Sequence, residues 1–142
     1  MKTARQLLAS KTSGVVSIAP DATVLDALRL MADRDIGALL VLDGQKLVGI
    51  LSERDYARKV VLLGRASRDL PVRDIMTHKV LCVTPDQKVD ECMALMTQKR
   101  CRHLPVLEEK HVVGILSIGD LVKEMLTEQQ LVIQQLESYI HS

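Results

Sequence analysis

Two serine–aspartate pairs carry the chemistry that this sequence offers. Ser52 and Asp55 lie in GILSERD, residues 49–55, and Ser117 and Asp120 lie in GILSIGD, residues 114–120. Gly, Ile, Leu, Ser and Asp hold their places in both, while the two residues between Ser and Asp change. Ser-x-x-Asp ahead of an apolar run has two physical readings. It is a capping box, in which the serine satisfies an early backbone N–H and the acid reaches back to the cap. It is equally half of a nucleotide site. N–H groups at the positive end of a helix hold phosphate, and an acid one turn in accepts two hydrogen bonds from a ribose diol. The pattern alone leaves both open.

Other chemistry is thin. The chain has no G-x-x-x-x-G-K-[ST] loop, no H-E-x-x-H and no G-x-G-x-x-G, and neither serine sits in G-x-S-x-G. No enzyme is expected, and no metal site. Cys82, Cys92 and Cys101 are spaced for neither a disulfide framework nor zinc. They read as small buried hydrophobes in a reducing cytoplasm. A net charge of +1 gives no field for nucleic acid. With no Trp, no Phe and two Tyr there is little on which bases could stack, and no helix-turn-helix pattern is visible. The apolar runs are short and interrupted, and MKTARQLLASKT lacks the apolar core of a secretory signal. Neither a membrane span nor export is expected.

The elements that must position the two motifs are themselves repeated. Displaced by 65 residues (Gly49 to Gly114), Pro20-Asp21 falls on Pro85-Asp86, Leu30-Met31 on Leu95-Met96, and Val41-Leu42 on Val106-Leu107. The match needs no gap from about residue 16 to residue 60. Upstream, TARQLL (3–8) resembles PVRDIM (71–76) at a displacement of 68. Each copy reads as β-α-β-β-α. The first has a strand at Val15–Ile18 stopped by Pro20, and a helix to about Arg34 capped by Asp21 or Thr23. An apolar strand follows over Gly37–Leu42, then a turn at Asp43-Gly44 and a return strand over Lys46–Leu51. Ser52 then opens a helix to about Leu63, ended by Gly64. The second copy repeats this with Val80–Val83, Lys88–Lys99, Arg102–Leu107, His111–Leu116 and a helix to about Met125. The tail then restarts a helix with an apolar stripe of Leu131, Val132, Leu136 and Ile140. The division is 1–70 for the first repeat with its linker helix, 71–126 for the second, and 127–142 for the tail. A unit of ~60 residues buries little surface alone, so two copies packed together are expected to share a core.

The paired Gly-hydrophobic-x-Ser-x-x-Asp motifs, PVRDIMT before the second copy, Pro-Asp opening each first helix and RHLPVLE at 102–108 together resemble a tandem pair of CBS domains, the repeats named after cystathionine β-synthase. The resemblance covers residues 1 to about 126. It implies an α+β fold of two β-α-β-β-α repeats with pseudo-two-fold symmetry, followed by a C-terminal amphipathic helix. It implies a regulatory or sensory module for signal transduction or energy sensing. No cofactor would be required; AMP, ADP, ATP, NAD or S-adenosylmethionine would bind as a regulatory ligand in two clefts between the repeats. A homodimer is expected, with an unidentified regulated protein as partner, no nucleic acid and no membrane.

Carried over residue by residue, Asp55 and Asp120 would each hold a ribose, with Ser52 and Ser117 near the α-phosphate. Ser13 and Ile36 would line the Asp55 cleft, and His78 and Cys101 the Asp120 cleft. Across the repeat boundary, Arg102 and His103 would face the phosphate end of the first ligand, and Gly37 and Ala38 that of the second. Arg54 and Arg58 add positive charge beside the first motif, where the second has Ile118 and Gly119 near the corresponding turn. Each assignment has a plainer counterpart. Arg102 could cover a sheet edge with its stem, His103 could be a core histidine, Arg54 and Arg58 a solvated helix face, and His78 a linker residue.

Overall fold

The structure, a computed structural model, describes residues 1–11, 14–66 and 68–141. Its elements run α1 (Ala4–Ser10), β1 (Ser17–Ile18), α2 (Val24–Arg34), β2 (Ala38–Asp43), β3 (Lys46–Ser52), α3 (Glu53–Tyr56), α4 (Val89–Lys99), β4 (His103–Glu108), β5 (His111–Ser117) and α5 (Ile118–His141). The two expected β-α-β-β-α copies are present as an α+β chain. Backbone contacts group it into two units. One holds residues 13–81 with 109–113, and the other holds residues 1–12, 82–108 and 114–142.

In the first unit β1 pairs parallel with β2, and β2 pairs antiparallel with β3, with Leu39 opposite Leu51 and a bulge at Val41/Leu42. Thr23 caps α2, its hydroxyl accepting the Asp26 N–H at 3.1 Å. Val24, Ala27 and Met31 fall at helical spacing on one face of α2 and pack with Leu39, Val41 and Leu51 of the sheet. The second unit repeats that core at the equivalent positions: Val89, Cys92, Met96, Leu104, Val106 and Leu116 are all buried. Here the expected strand Val80–Val83 shrinks to one parallel bridge, Val83 with Val106. Its Val83 N–H donates to the Pro105 carbonyl at 3.0 Å.

The segment leading into each copy docks on the other copy's repeat. The Ala4 and Arg5 N–H groups donate to the Gln87 and Pro85 carbonyls at 2.8 and 2.9 Å, and the Val89 N–H returns to the Lys2 carbonyl at 3.0 Å. Likewise the Val72 and Arg73 N–H groups donate to the Ala22 and Pro20 carbonyls at 2.8 and 2.9 Å, and the Val24 N–H returns to the Leu70 carbonyl at 2.8 Å. The similarity of TARQLL to PVRDIM reflects this shared job. It also accounts for the invariant glycine of the repeated motif. A Cβ on Gly114 would lie 2.5 Å from Leu8 Cδ2, and one on Gly49 would lie 2.5 Å from Met76 Sδ. Leu8 and Met76 are equivalent residues of the two leaders, and each crosses its strand where no side chain stands in the way.

Two helices depart from expectation. The helix after Ser52 is α-helical only over Glu53–Tyr56 and widens into a π-helical segment over Ala57–Val61. The tail does not restart: α5 is one helix of 24 residues. Between Met125 and Leu131 the chain offers neither Gly nor Pro to break it. In a continuous helix, at 100° per residue, Leu131 lies about 140° from Leu136 and about 180° from Ile140. It therefore leaves the apolar stripe in which it was placed. Among the described residues no helix is long and apolar enough to cross a membrane.

Candidate functional site

Each motif sits where an antiparallel strand turns directly into a helix. Ser52 ends β3 and caps α3; Ser117 ends β5 and precedes α5. The Ser52 hydroxyl accepts the Asp55 N–H at 3.1 Å, and Asp55 Oδ2 accepts the Ser52 N–H at 3.0 Å and its hydroxyl at 3.1 Å. Ser117 and Asp120 repeat the pattern, the Asp120 N–H donating to Ser117 Oγ at 3.2 Å and the Ser117 N–H to Asp120 Oδ2 at 2.8 Å. Both are complete capping boxes. The next backbone group is used too. The Glu53 N–H donates to the Gly37 carbonyl at 3.0 Å, and the Ile118 N–H to the Arg102 carbonyl at 2.9 Å. Two of the first three N–H groups of each helix are therefore taken, so the free N–H cluster expected from sequence is reduced.

The second carboxylate contact comes from residues that the sequence reading missed. Asp55 Oδ1 accepts from Thr77 Oγ1 at 3.3 Å and lies 3.3 Å from Lys59 Nζ. Lys59 is four residues along the helix, a spacing legible in the sequence. Asp120 Oδ2 instead accepts from Lys11 Nζ at 2.9 Å, and the same ammonium donates to the Ile115 carbonyl at 2.8 Å. Lys11 is 109 residues away in sequence, and only the docking of α1 brings it there. Burial pushes the Asp120 carboxyl up. The Ser117 N–H and the hydrogen bond and charge of Lys11 pull it down by more, so it lies below the ordinary aspartate value.

The remaining candidates fall in these same neighbourhoods or on plain surface. Ile36 and Cys101 are half-buried and follow left-handed residues, Asp35 and Arg100, both at φ 53°. Their N–H groups close the preceding helices onto the Met31 and Met96 carbonyls at 3.0 and 3.2 Å. Burial raises the Cys101 thiol against the pull of a backbone hydrogen bond. Arg54 and Arg58 are exposed on the helix after Ser52. His78 is exposed just after Thr77, whose backbone bridges to Ile50. Arg102 is exposed ahead of β4, and His103 is half-buried at its first position. Ser13 lies outside the described residues. Among those residues no group of three or more His, Cys, Asp or Glu side chains could hold a metal ion.

Comparison with known proteins adds to this geometry. A family model described as "CBS domain" matches residues 5–62 and again residues 72–127. The CBS domain-containing protein CBSX3, mitochondrial, of Arabidopsis thaliana is 44% identical over 125 residues, covering 84% of this chain. The chain spans only 61% of that relative's length. Among solved structures, one described as a signal-transduction protein with CBS domains from Burkholderia ambifaria matches with a TM-score of 0.87 at 50% identity, over 90% of this chain and 96% of that one. A hexameric CBS-CP12 protein from bloom-forming cyanobacteria matches with a TM-score of 0.76 at 31% identity, over 84% of this chain and 70% of that one.

Proposed function

The chain belongs to the CBS domain family, and from that premise we propose that it is a regulatory module that binds an adenosine-containing ligand, one of AMP, ADP, ATP or NAD, and acts through a regulated protein rather than by catalysis. The observation that carries the reading is the repeated Ser-x-x-Asp unit at two helix N-termini. Each unit presents a half-buried carboxylate beside an ammonium, Lys59 in one and Lys11 in the other. A carboxylate accepts from a ribose diol, and an ammonium beside it tolerates the phosphate that follows. Ile36, Ser52, Arg54 and Asp55 would serve one ligand, and Cys101, Ser117 and Asp120 the other, with His78, Arg102 and His103 as the further contacts that the family resemblance implies. Self-association belongs to this reading, as does a cytoplasmic location. S-adenosylmethionine is the alternative ligand.

A second reading has a specific observation in its favour. Both capping boxes are complete, so the Ser and Asp residues have a structural role without any ligand. On that reading the chain is a ligand-free dimeric interaction module. A thermal-shift screen with AMP, ADP, ATP, NAD, NADH and S-adenosylmethionine separates the two. A ligand at 100 times its dissociation constant stabilises by ~2.7 kcal/mol. A shift with one adenosine ligand supports the sensor; no shift with any of them leaves the interaction module.

A further inference from the structure

Beyond its first turns α5 becomes an exposed helix. Leu121 is buried, Glu124, Met125 and Glu128 are half-buried, and every described residue from Gln129 onward is exposed. The exposed surface is patterned. Val122, Leu126, Gln129, Ile133, Leu136 and Ile140 follow one another in steps of four and three, the seam of a helix that packs on another helix. Met125, Val132 and Tyr139 widen it on one side. Exposure of the apolar seam residues, together with Val132 and Tyr139, runs from 43% at Val122 to 82% at Tyr139, while Met125 is half-buried. Together these side chains offer roughly 800 Å² per copy, about what each partner contributes to a standard stable interface. A membrane surface fits poorly, because no Lys or Arg follows Lys123 on the polar face.

Charge placement selects the partner and its direction. We propose that α5 pairs antiparallel with α5 of a second copy of this chain. Setting Ile133 against Gln129 of the second copy places Leu126 against Leu136 and Val122 against Ile140. The same register brings Lys123 beside Glu137 of the second copy, twice by symmetry, and places Val132 against its own counterpart at the two-fold axis. A parallel register leaves Lys123 and Glu137 beside Ile118 and Val132, with no charge partner. In the antiparallel pair the two helix dipoles also oppose. The seam extends past residue 127, where the family match ends, so this interface is a feature of this chain's tail. It does not depend on the nucleotide reading.

Light scattering of the full chain at micromolar concentration should give a dimer, and Leu136→Glu should give a monomer with an unchanged circular dichroism spectrum. Lys123→Glu should weaken the dimer at least about tenfold by placing two Glu–Glu contacts across the seam, and Lys123→Glu/Glu137→Lys should restore it. Under mild oxidation Val132→Cys should cross-link the dimer, while Ile140→Cys and the unaltered chain should not. A monomeric wild type, a dimer indifferent to Leu136→Glu, or a charge swap that fails to restore pairing would overturn the proposal. So would any other cross-linking pattern, since a parallel pair would join Ile140→Cys instead.

Discussion

Replacing the motif glycines by alanine tests the docking of the leader segments. The two sites are not equally tight. A Cβ on Gly49 meets Met76 Sδ at 2.5 Å, Met76 Cγ at 2.9 Å and the Thr77 carbonyl oxygen at 3.0 Å. Carbon atoms prefer separations of about 3.5–4.0 Å. Met76 can swing aside, but Thr77 is tied to Ile50 by hydrogen bonds of 2.8 and 3.1 Å and cannot move alone. Overpacking of this kind costs about 1–3 kcal/mol, and alanine's advantage over glycine in a strand returns about 0.5–1 kcal/mol. Gly49→Ala should therefore destabilise by about 1–2 kcal/mol. With a urea slope of about 1–3 kcal/mol/M, the unfolding midpoint should fall by roughly 1 M. A Cβ on Gly114 meets only Leu8, at 2.5, 2.9 and 3.2 Å, all side-chain atoms. Gly114→Ala should cost less, and Leu8→Ala should remove its penalty, so the double variant should show a favourable coupling of about 1 kcal/mol. Urea titrations of the four variants, followed by circular dichroism, give these numbers. A Gly49→Ala protein as stable as wild type, or additive Leu8→Ala and Gly114→Ala effects, would refute the assignment.

Three further outcomes follow. Glu109 and Lys110 both sit at positive φ, 51° and 68°, in the turn between β4 and β5; Lys110→Gly should relieve about 1 kcal/mol of strain and raise the melting temperature, and an unchanged one would contradict that. Asp120 titrates below its unfolded value, so its stabilisation is complete above about pH 4 and is lost as pH falls through the folded value. Lys11→Met should therefore be less stable than wild type at neutral pH, with the gap closing below about pH 4; a gap constant across that range would show that Lys11 acts elsewhere. Thr23→Ala removes the cap of α2 and should cost about 1 kcal/mol in urea unfolding, whereas a neutral result would mean that the cap bond is not made in solution.

What was legible in the sequence was local. The turn at Gly44, a cap at Asp21 or Thr23 and the continuous apolar run from Gly37 to Leu42, buried in the structure from Ala38 to Val41, follow from patterns a few residues long. Both capping boxes did too, since Ser and the N3 acid are neighbours in sequence. The features that escaped depend on pairing across distance. Nothing in MKTARQLL says that it docks on Pro85 to Val89 rather than on the repeat it precedes. Lys11 reaches Asp120 only because of that docking. The reduction of Val80–Val83 to one bridge is a tertiary outcome that β-propensity does not encode. The continuity of α5 is legible in the lack of Gly or Pro between Met125 and Leu131, whereas the repeat pattern itself ends near Met125 and carries no information about the helix beyond it.

On the proposed reading the two acids hold ribose and do more than cap helices. Isothermal calorimetry with AMP on wild type, Asp55→Asn and Asp120→Asn tests it most directly, once each variant is shown by circular dichroism and melting to be folded. Losing a charged acceptor of two hydrogen bonds, each contributing about 1.5–3 kcal/mol, should weaken one site at least about tenfold and spare the other. The double variant should bind nothing measurable. If both single variants, and the double, bind AMP and its relatives as wild type does while losing only about 0.5–1 kcal/mol of stability, then GILSERD and GILSIGD are helix caps, and the sensor assignment is wrong.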